Sequence, residues 1–568
     1  MKVIFAAINS KYIHTALGLR YISEYCRQQG NEVALIEETI NTPVLTVLEK
    51  LMKEQADVYA FSVHIWNKLV VYRLISMLKK LRPQAVVIVG GPEVAFDAVK
   101  IFSEQPAIDY IVQGEGELVV ARLLNALQKK TAIPPHIAYM DNGRVNINGG
   151  VTVIQDLTIL PFPYPDLLQV INEHKIVYYE CSRGCPFHCS YCLSGISRSV
   201  RRRPVDMVLQ DMERFIKAGT PLVKFVDRTY NLDEEYFLPI MEYLAAADTK
   251  TVFHFEIKAD LITSKVLAFL KSVPKGRFQL EIGIQTTNRA TLHAINRRDN
   301  WEKLAYNVKE LLQAGNMHIH LDLIAGLPYE GLQEFEKSFN DVYKLQPQML
   351  QLGFLKVLPG TQMNDEAQEH KLIYMDEPPY EILATVYMPY ENMQLLKKIE
   401  NIFEQTYNSG CFQHILHFLI KKEENAFSFY RRLTDWWTEK GYYPQVHNNK
   451  GIARILFEYI MENIDEEKSR MILTEILRYD VFINIDGWRP EWLNWNTERI
   501  FDKVSSFWRN EDVVKKYLPG YRFSSWRQIN KYYPIELFKA DPENAKEDNF
   551  YLLRDVSSAE KVYFRVRI

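Results

Sequence analysis

Apolar runs of strand length alternate with amphipathic segments of helix length through most of the chain's first two thirds, and few architectures satisfy such a pattern. Runs at Val3–Ile8, Val33–Ile36, Val58–Val63, Ala85–Val89 and Tyr110–Val112 are followed by helix-compatible stretches near Leu17–Gln29, Val44–Gln55, Lys68–Leu81, Ala95–Ser103 and Glu117–Gln128. Five such units predict an α/β domain with a doubly wound, Rossmann-like parallel sheet. Ligands of these sheets sit outside the carboxyl ends of the strands, so the first residues after each strand are the ones to examine. The periodicity then lapses and PFPYPD marks an extended connector. A second series begins at Ile176–Glu180 and continues at Leu222–Val226, Val252–Ile257, Phe278–Gln285, His318–Ile324 and Leu350–Val357, which predicts a partial (β/α)6 TIM-like barrel. Beyond about Gln362 the chain reads as mainly helical. The predicted division is 1–133, a linker at 134–174, a barrel at 175–362 and a helical domain at 363–568.

Of six cysteines, Cys181, Cys185, Cys189 and Cys192 fall in one short segment, while Cys26 and Cys411 stand alone. Six in 568 residues are too few for a secreted disulfide framework, and clustering points to metal chemistry in a reducing compartment. The apolar run at the N-terminus is too short for a signal h-region, and no stretch has the length of a membrane span, so the cytoplasm is the expected location. Lys and Arg number 68 against 71 Asp and Glu, a net charge of −3 that gives no broad footprint for nucleic acid or an anionic membrane. One dense basic run, Arg198 with Arg201 to Arg203, could meet phosphates or steer a reductant, against the plainer reading of a solvated loop.

Cys185, Cys189 and Cys192 follow a C-x3-C-x2-C spacing directly after the first predicted barrel strand. Three thiolates on one loop can hold three irons of a [4Fe–4S] cluster and leave the fourth open, whereas structural zinc takes four ligands in a closed array. The motif resembles that of the radical S-adenosylmethionine enzymes. The resemblance implies that S-adenosylmethionine chelates the open iron and that the reduced cluster cleaves it to a 5′-deoxyadenosyl radical. By the same resemblance, Tyr191 packs beside the adenine, and Asp227 and Arg228 meet the methionine end. Glu256 and Lys258 at the third strand end, and Glu281, Gln285 and Asn288 at the fourth, are expected to line the site. Gly326 and Pro328 belong to a GLP-E turn that shapes a loop. Cys181 departs from the family pattern and is read as a strand-end thiol without a role.

Four loops of the first series, NSKYIHTALG, SVHIWN, VGGPEV and VQGEGE, resemble those of the cobalamin-binding members of that superfamily. They place Asn9, Tyr12, His14, Ser62, His64, Gly90, Gly91, Pro92, Gly114 and Glu115 as expected cobalamin contacts, with Gly90 and Gly91 letting backbone approach a flat ligand. The D-x-H-x-x-G motif that supplies a lower cobalt ligand is broken: Tyr12, His14 and Leu17 occupy its positions and Gly18 falls one place late. Cobalt without a protein ligand on that face is therefore the expected state, with His14, His64 and Trp66 near the space beneath the corrin.

The last third carries no motif tied to chemistry, and its order is similar to an uncharacterised C-terminal domain of one branch of these proteins. The resemblance implies a cobalamin-dependent radical methyltransferase acting on an unactivated carbon or phosphinate of a substrate the sequence does not name. A flavodoxin- or ferredoxin-type reductant is the expected partner. Two alternatives are a cobalamin-assisted rearrangement or cyclisation without methyl transfer, and a cobalamin- or redox-sensing binding protein.

Overall fold

The structure is a computed structural model that describes residues 1–196, 199–496, 499–518, 521, 525–557 and 562–568. Arg198 of the basic run lies outside them. The chain forms two compact units: the first comprises Met1–Ser338, Leu345–Pro347 and Leu352–Tyr390, the second Phe339–Lys344, Gln348–Gln351 and Glu391–Ile568.

The first unit opens with β1 (Lys2–Asn9), α1 (Leu17–Gln28), β2 (Glu32–Thr39), α2 (Val44–Lys53), β3 (Val58–Ser62), α3 (Lys68–Leu81), β4 (Val86–Gly90), α4 (Ala98–Glu104), β5 (Tyr110–Val112) and α5 (Gly116–Lys129). Residues Val3 to Ile8 are all nearly inaccessible, because helices cover both faces of the sheet and a parallel strand must then be apolar on both sides. Val47, Leu51, Val71, Leu74 and Leu78 pack on one face, and Leu19, Val120, Leu123 and Leu124 on the other. The strand order is β2-β1-β3-β4-β5-β6-β7, so the order reverses between β1 and β3. That reversal opens a crevice at the strands' carboxyl ends, where such sheets take ligands.

The segment read as a linker is not all connector. β6 (Ile137–Asp141) and β7 (Arg144–Asn148) form an antiparallel hairpin that adds two strands to the sheet edge. Polar residues alternate through INGG-flanked RVNIN and its side chains stay largely exposed, so the hairpin gives none of the continuous apolar signal of the parallel strands.

The barrel follows: β8 (Val177–Tyr179), a short antiparallel pair β9 (Ser182–Arg183) and β10 (Arg201–Arg202), β11 (Leu222–Phe225), β12 (Val252–Ile257), β13 (Phe278–Gln285), β14 (His318–Ala325) and β15 (Met349–Phe354). Its strand order is β15-β14-β13-β12-β11-β8, with parallel pairs from β8 through β14, as the six-strand expectation required. Phe278, Leu280, Ile282 and Ile284 of β13 are buried beneath the surrounding helices, while Glu281, Gly283 and Gln285 alternate with them and stay partly accessible. β14 repeats the pattern, with Ile319, Leu321 and Leu323 buried and His320 and Asp322 partly accessible. A period of two puts every second side chain on one face, so the alternation sorts apolar groups to the helices and polar groups to the interior.

The second unit is helical from Glu391 onward, with apolar cores such as Phe403, Phe427, Tyr430 and Trp437. It closes on a feature the sequence reading did not anticipate, a three-stranded antiparallel sheet of Ile535–Ala540, Glu547–Asp555 and Val562–Val566. Part of the aromatic surplus of the last third is core: Trp437 and Trp508 are fully buried.

Candidate functional site: two cavities joined at Arg228

Within the barrel lies a cavity of about 260 Å³ lined by Cys185, Cys189 and Cys192 together with Tyr191, Arg228, Glu256, Lys258 and Gln285. The fold thus gathers into one space the three thiols and most of the strand-end residues read from the sequence. Registry explains the convergence. Glu256 stands opposite Glu281, and Glu281 opposite His320, so one layer of the interior carries two carboxylates and an imidazole. Burial, with Glu281 adding to it against the opposing pull of Arg228, pushes the Glu256 carboxyl up to about 7. Glu281 goes the other way, held below the usual carboxylate range by a 3.1 Å contact with His254 Nε2 despite its burial. Two carboxyls side by side are therefore driven apart in proton affinity by their neighbours.

Gln285 sits at a register shift between β13 and β14 and has φ 72°, in the left-handed region that non-glycine residues seldom occupy. The bulge turns its amide into the cavity, and its buried Oε1 finds no hydrogen-bond partner among the described residues. A buried acceptor without a donor is costly, and here it faces open volume. Behind it, Thr286 Oγ1 donates to Glu330 Oε1 at 2.5 Å and Ser338 Oγ donates to the same oxygen at 3.3 Å. Glu330 is the last residue of the GLP-E turn, fully buried, and burial pushes its carboxyl up to about 8, so it serves as a neutral fastener for the loop after β13. Asn288 caps α10 (Arg289–Ala294) through its side chain and does not line the cavity.

Asp227 and Lys258 have partners the sequence did not show. Asp227 does not line the cavity: its carboxylate accepts from Cys181 N and Sγ, both at 3.1 Å, and from Ser182 Oγ at 2.5 Å. It ties the end of β11 to the end of β8, and Cys181, read as idle, is one of its donors. Lys258 reaches the cavity wall, but its ammonium is held by Asp260 at 2.9 Å and by Asp299. Arg297, which the sequence gave no reason to single out, lies between Tyr191 and Asp299 on the same wall. It sits in an irregular loop where no periodicity marks it. Asp322 was also passed over, although the two-residue spacing from His320 places it on the interior face.

The second cavity, of about 640 Å³, lies at the reversal of the N-terminal sheet. Asn9, His14, Ser62, His64, Gly90, Gly91, Gly114 and Glu115 all line it, as does Trp66. On the barrel side it is closed by Tyr178, Glu180, Arg183 and Arg228, so Arg228 borders both cavities. Tyr12 does not line it and is 58% exposed beneath the Lys175 ammonium, and Pro92 is exposed at the start of a 3-10 turn. Among its imidazoles, His14 bonds through Nδ1 to Tyr178 Oη at 2.7 Å, and burial lowers its pKa. His64 bonds through Nε2 to Ser62 Oγ at 2.6 Å and stacks on Trp66 with ring centroids 4.4 Å apart. Burial takes the His64 pKa down to about 4, so the ring is neutral near pH 7.

Two of the glycines also serve the packing of the loops against one another. At Gly91, φ is 107° and a Cβ would stand 2.5 Å from Val63 O, so the close approach is between two loops of the sheet. Gly114 is similar, with a Cβ position 2.4 Å from Thr152 O. Gly90 is unstrained, its nearest neighbour 3.7 Å away. Glu115 is also structural in part: it accepts from Ile154 N at 2.6 Å and pairs with Arg201 at 2.8 Å. Arg183 binds Glu117 and Glu180, both at 2.6 Å, which joins the sheet to the strand just ahead of Cys185. Arg201 to Arg203 of the basic run all have partners within the protein. Arg203 is 1% exposed and bonds Leu160 O and Asp211, and Arg202 pairs with Asp233 at 2.9 Å.

Three families match this chain in order: the B12 binding domain over residues 3–124, the radical SAM superfamily over 179–342, and a protein family of unknown function, DUF4080, over 368–553. The chain thus carries a B12-binding, a radical SAM and a DUF4080 domain in that order. It is 24% identical over 368 residues, 63% of this chain and 79% of the relative, to an uncharacterized methyltransferase of Pyrococcus horikoshii. It is 23% identical to the cobalamin-dependent radical SAM methyltransferase TokK of Streptomyces tokunonensis, over 68% of this chain and 62% of TokK. An anaerobic magnesium-protoporphyrin IX monomethyl ester cyclase of Synechocystis is also 23% identical, over 59% of this chain and 70% of that protein. Among solved structures, the cobalamin-dependent S-adenosylmethionine radical enzyme OxsB, with aqua-cobalamin and S-adenosylmethionine bound, aligns over 93% of this chain and 84% of its own at a TM-score of 0.61 and 17% identity, a likeness of fold.

Proposed function

We propose that this protein is a cobalamin-dependent radical S-adenosylmethionine methyltransferase that methylates an unactivated carbon or phosphinate. The observation that carries it is the adjacency of two cavities of different chemistry that share Arg228. The residues fit the groups: three soft thiols on one loop suit iron, and the unpartnered Gln285 amide and the Glu256 carboxyl suit the polar parts of S-adenosylmethionine. The wider crevice, with apolar strand ends of β1, β3 and β4 beneath its loops, suits a corrin. When bound, cluster and S-adenosylmethionine supply a 5′-deoxyadenosyl radical, and cobalamin supplies the methyl group.

The chain's own residues do the positioning. Cys185, Cys189 and Cys192 hold the cluster, and Tyr191 and Arg297 wall its cavity. Ionised Glu256 would offer a counter-charge to the sulfonium of S-adenosylmethionine, and Arg228, which lines both cavities, acts on Glu256 from the shared wall. His14, His64 and Trp66 line the crevice that would hold the corrin, and each imidazole engages a protein hydroxyl through one ring nitrogen. Walls that exclude water let these fixed groups act at low dielectric and protect a radical from quenching. No helix among the described residues is long and apolar enough to cross a membrane, which supports the cytoplasmic location. A reductant of the flavodoxin or ferredoxin class supplies the electron.

Reduced, reconstituted protein incubated with methyl-deuterated S-adenosylmethionine and cell extract should place the label in a product. Formation of 5′-deoxyadenosine without label transfer would instead support rearrangement or cyclisation, the chemistry of the cyclase relative. Replacing all three ligand cysteines by Ala should remove the cluster absorbance and bound iron, and iron content equal to the wild type would overturn the ligand assignment.

A further inference from the structure

One layer of the barrel interior holds three metal-ligating side chains that neither cofactor assignment uses. β14 carries His320 and Asp322 two residues apart, so both side chains point to the interior face, and registry places Glu281 of β13 opposite His320. One potential ligand atom from each of Glu281, His320 and Asp322 lies within 4.8 Å of the other two, the only group of three histidine, cysteine or carboxylate side chains to close so far among the described residues. His320 Nε2 and Asp322 Oδ1 stand 3.0 Å apart, yet both atoms are inaccessible and neither makes a hydrogen bond to any described residue. Two such atoms are costly to bury unless a third group satisfies both. Behind them, His254 of β12 reaches Glu281 Oε2 through Nε2 at 3.1 Å and is itself only 6% exposed. Ligating carboxylates are held by outer hydrogen bonds of this kind. Glu281 and Asp322 also line the barrel cavity, which gives an ion a way in.

We propose that Glu281, His320 and Asp322 bind one divalent transition-metal ion of the zinc class, distinct from the iron–sulfur cluster and open to the barrel cavity. Ligands held at about 2.0–2.2 Å stand about 3–4 Å apart across such an ion, so small side-chain rotations close the group on it. Two carboxylates offset the ion's double charge. The imidazole favours zinc and its transition-metal neighbours over magnesium and calcium, which take oxygen ligands. Three protein ligands leave a fourth position, and the cavity beside Glu281 and Asp322 provides space for an oxygen or nitrogen donor of a bound molecule to fill it. Adjacent strands carry all three ligands, so the donor set is held by the sheet rather than by a loop. The site stands on these side chains alone, whichever reaction the barrel performs.

The test adds zinc chloride to the reconstituted full chain, removes loosely held metal on a desalting column, and counts zinc and iron by mass spectrometry. About one zinc per chain should remain beside a full iron complement. Zinc-edge X-ray absorption should show nitrogen and oxygen neighbours and no sulfur, which separates this site from zinc misplaced on the cluster cysteines. In competition with a chromophoric chelator, Asp322→Asn and His320→Gln should each weaken zinc binding by about a hundredfold, and His254→Gln, which acts by orienting Glu281, by about tenfold. Cluster absorbance, set by the cysteines, should be unchanged in all three. A wild-type chain that retains no zinc would overturn the site, as would a sulfur shell around the zinc or wild-type affinity in Asp322→Asn. The wild-type measurements decide the matter even if a variant misfolds. Methyl transfer is read in a separate assay, so failure of the metal site and failure of the methyltransferase reading are distinguishable.

Discussion

The barrel cavity and the sheet crevice of the first unit are built from different materials. Charged and amide side chains on alternate positions of β12, β13 and β14 define the barrel cavity, and each polar group is set by registry with the next strand. Loop backbone defines much of the sheet crevice, where Gly91 and Gly114 let one loop lie against another at distances no Cβ allows. The difference teaches where each site is vulnerable. A side-chain change in the barrel should alter charge and proton balance while the fold survives, and a backbone change in the sheet should disturb the crevice itself.

Arg183, where the two regions meet, offers the largest contrast. It is nearly buried between Glu117 and Glu180, so Arg183→Met would strand two carboxylates and is expected to cost about 3–5 kcal/mol in chemical denaturation. Loss confined to one cavity's ligand would show that the regions are independent. Next, Gly91→Ala is expected to cost about 2 kcal/mol and to weaken cobalamin binding, because it forces a side chain to φ 107° against Val63 O. Gly90→Ala, where a Cβ would meet only ordinary van der Waals contact at 3.7 Å, should change either quantity little. Equal effects at the two glycines would show that backbone packing does not set the crevice.

The smallest effect is a titration. With its carboxyl raised to about 7, Glu256 is mostly neutral at pH 6 and mostly ionised at pH 8. A cationic ligand prefers the ionised form, so S-adenosylmethionine should bind about tenfold more tightly at pH 8 than at pH 6, and Glu256→Gln should flatten the profile. The sign for stability is opposite. Between about 4.5 and 7 the folded state holds a proton that the unfolded state has lost, so this group's contribution declines as pH rises through that window.

Much of this was legible in the residues. Continuous apolar runs announced the parallel strands because both faces of each strand are covered, and the cysteine spacing announced three thiols on one loop, which the fold brings to one cavity. Arg297 was not legible, because it reaches Tyr191 from a loop more than a hundred residues away in sequence. Asp227 misled for a related reason: a carboxylate at a strand end looks the same whether it faces a ligand or, as here, the amide and thiol of Cys181.

Strand succession, helix faces and the chemical type of the ligands were fixed by local pattern, since periodicity and ligand spacing are properties of neighbouring residues. Partnership was settled by folding. Which arginines would be tied to acids within the unit and which would face solvent depended on groups distant in the chain. Arg201 and Arg203, within the densest charge of the sequence, became buried ties, Arg202 pairs with Asp233 at the surface, and Arg289, unremarkable in sequence, stays exposed. Charge density along a chain does not predict charge on a surface, because long-range pairing decides which of those charges remains in water.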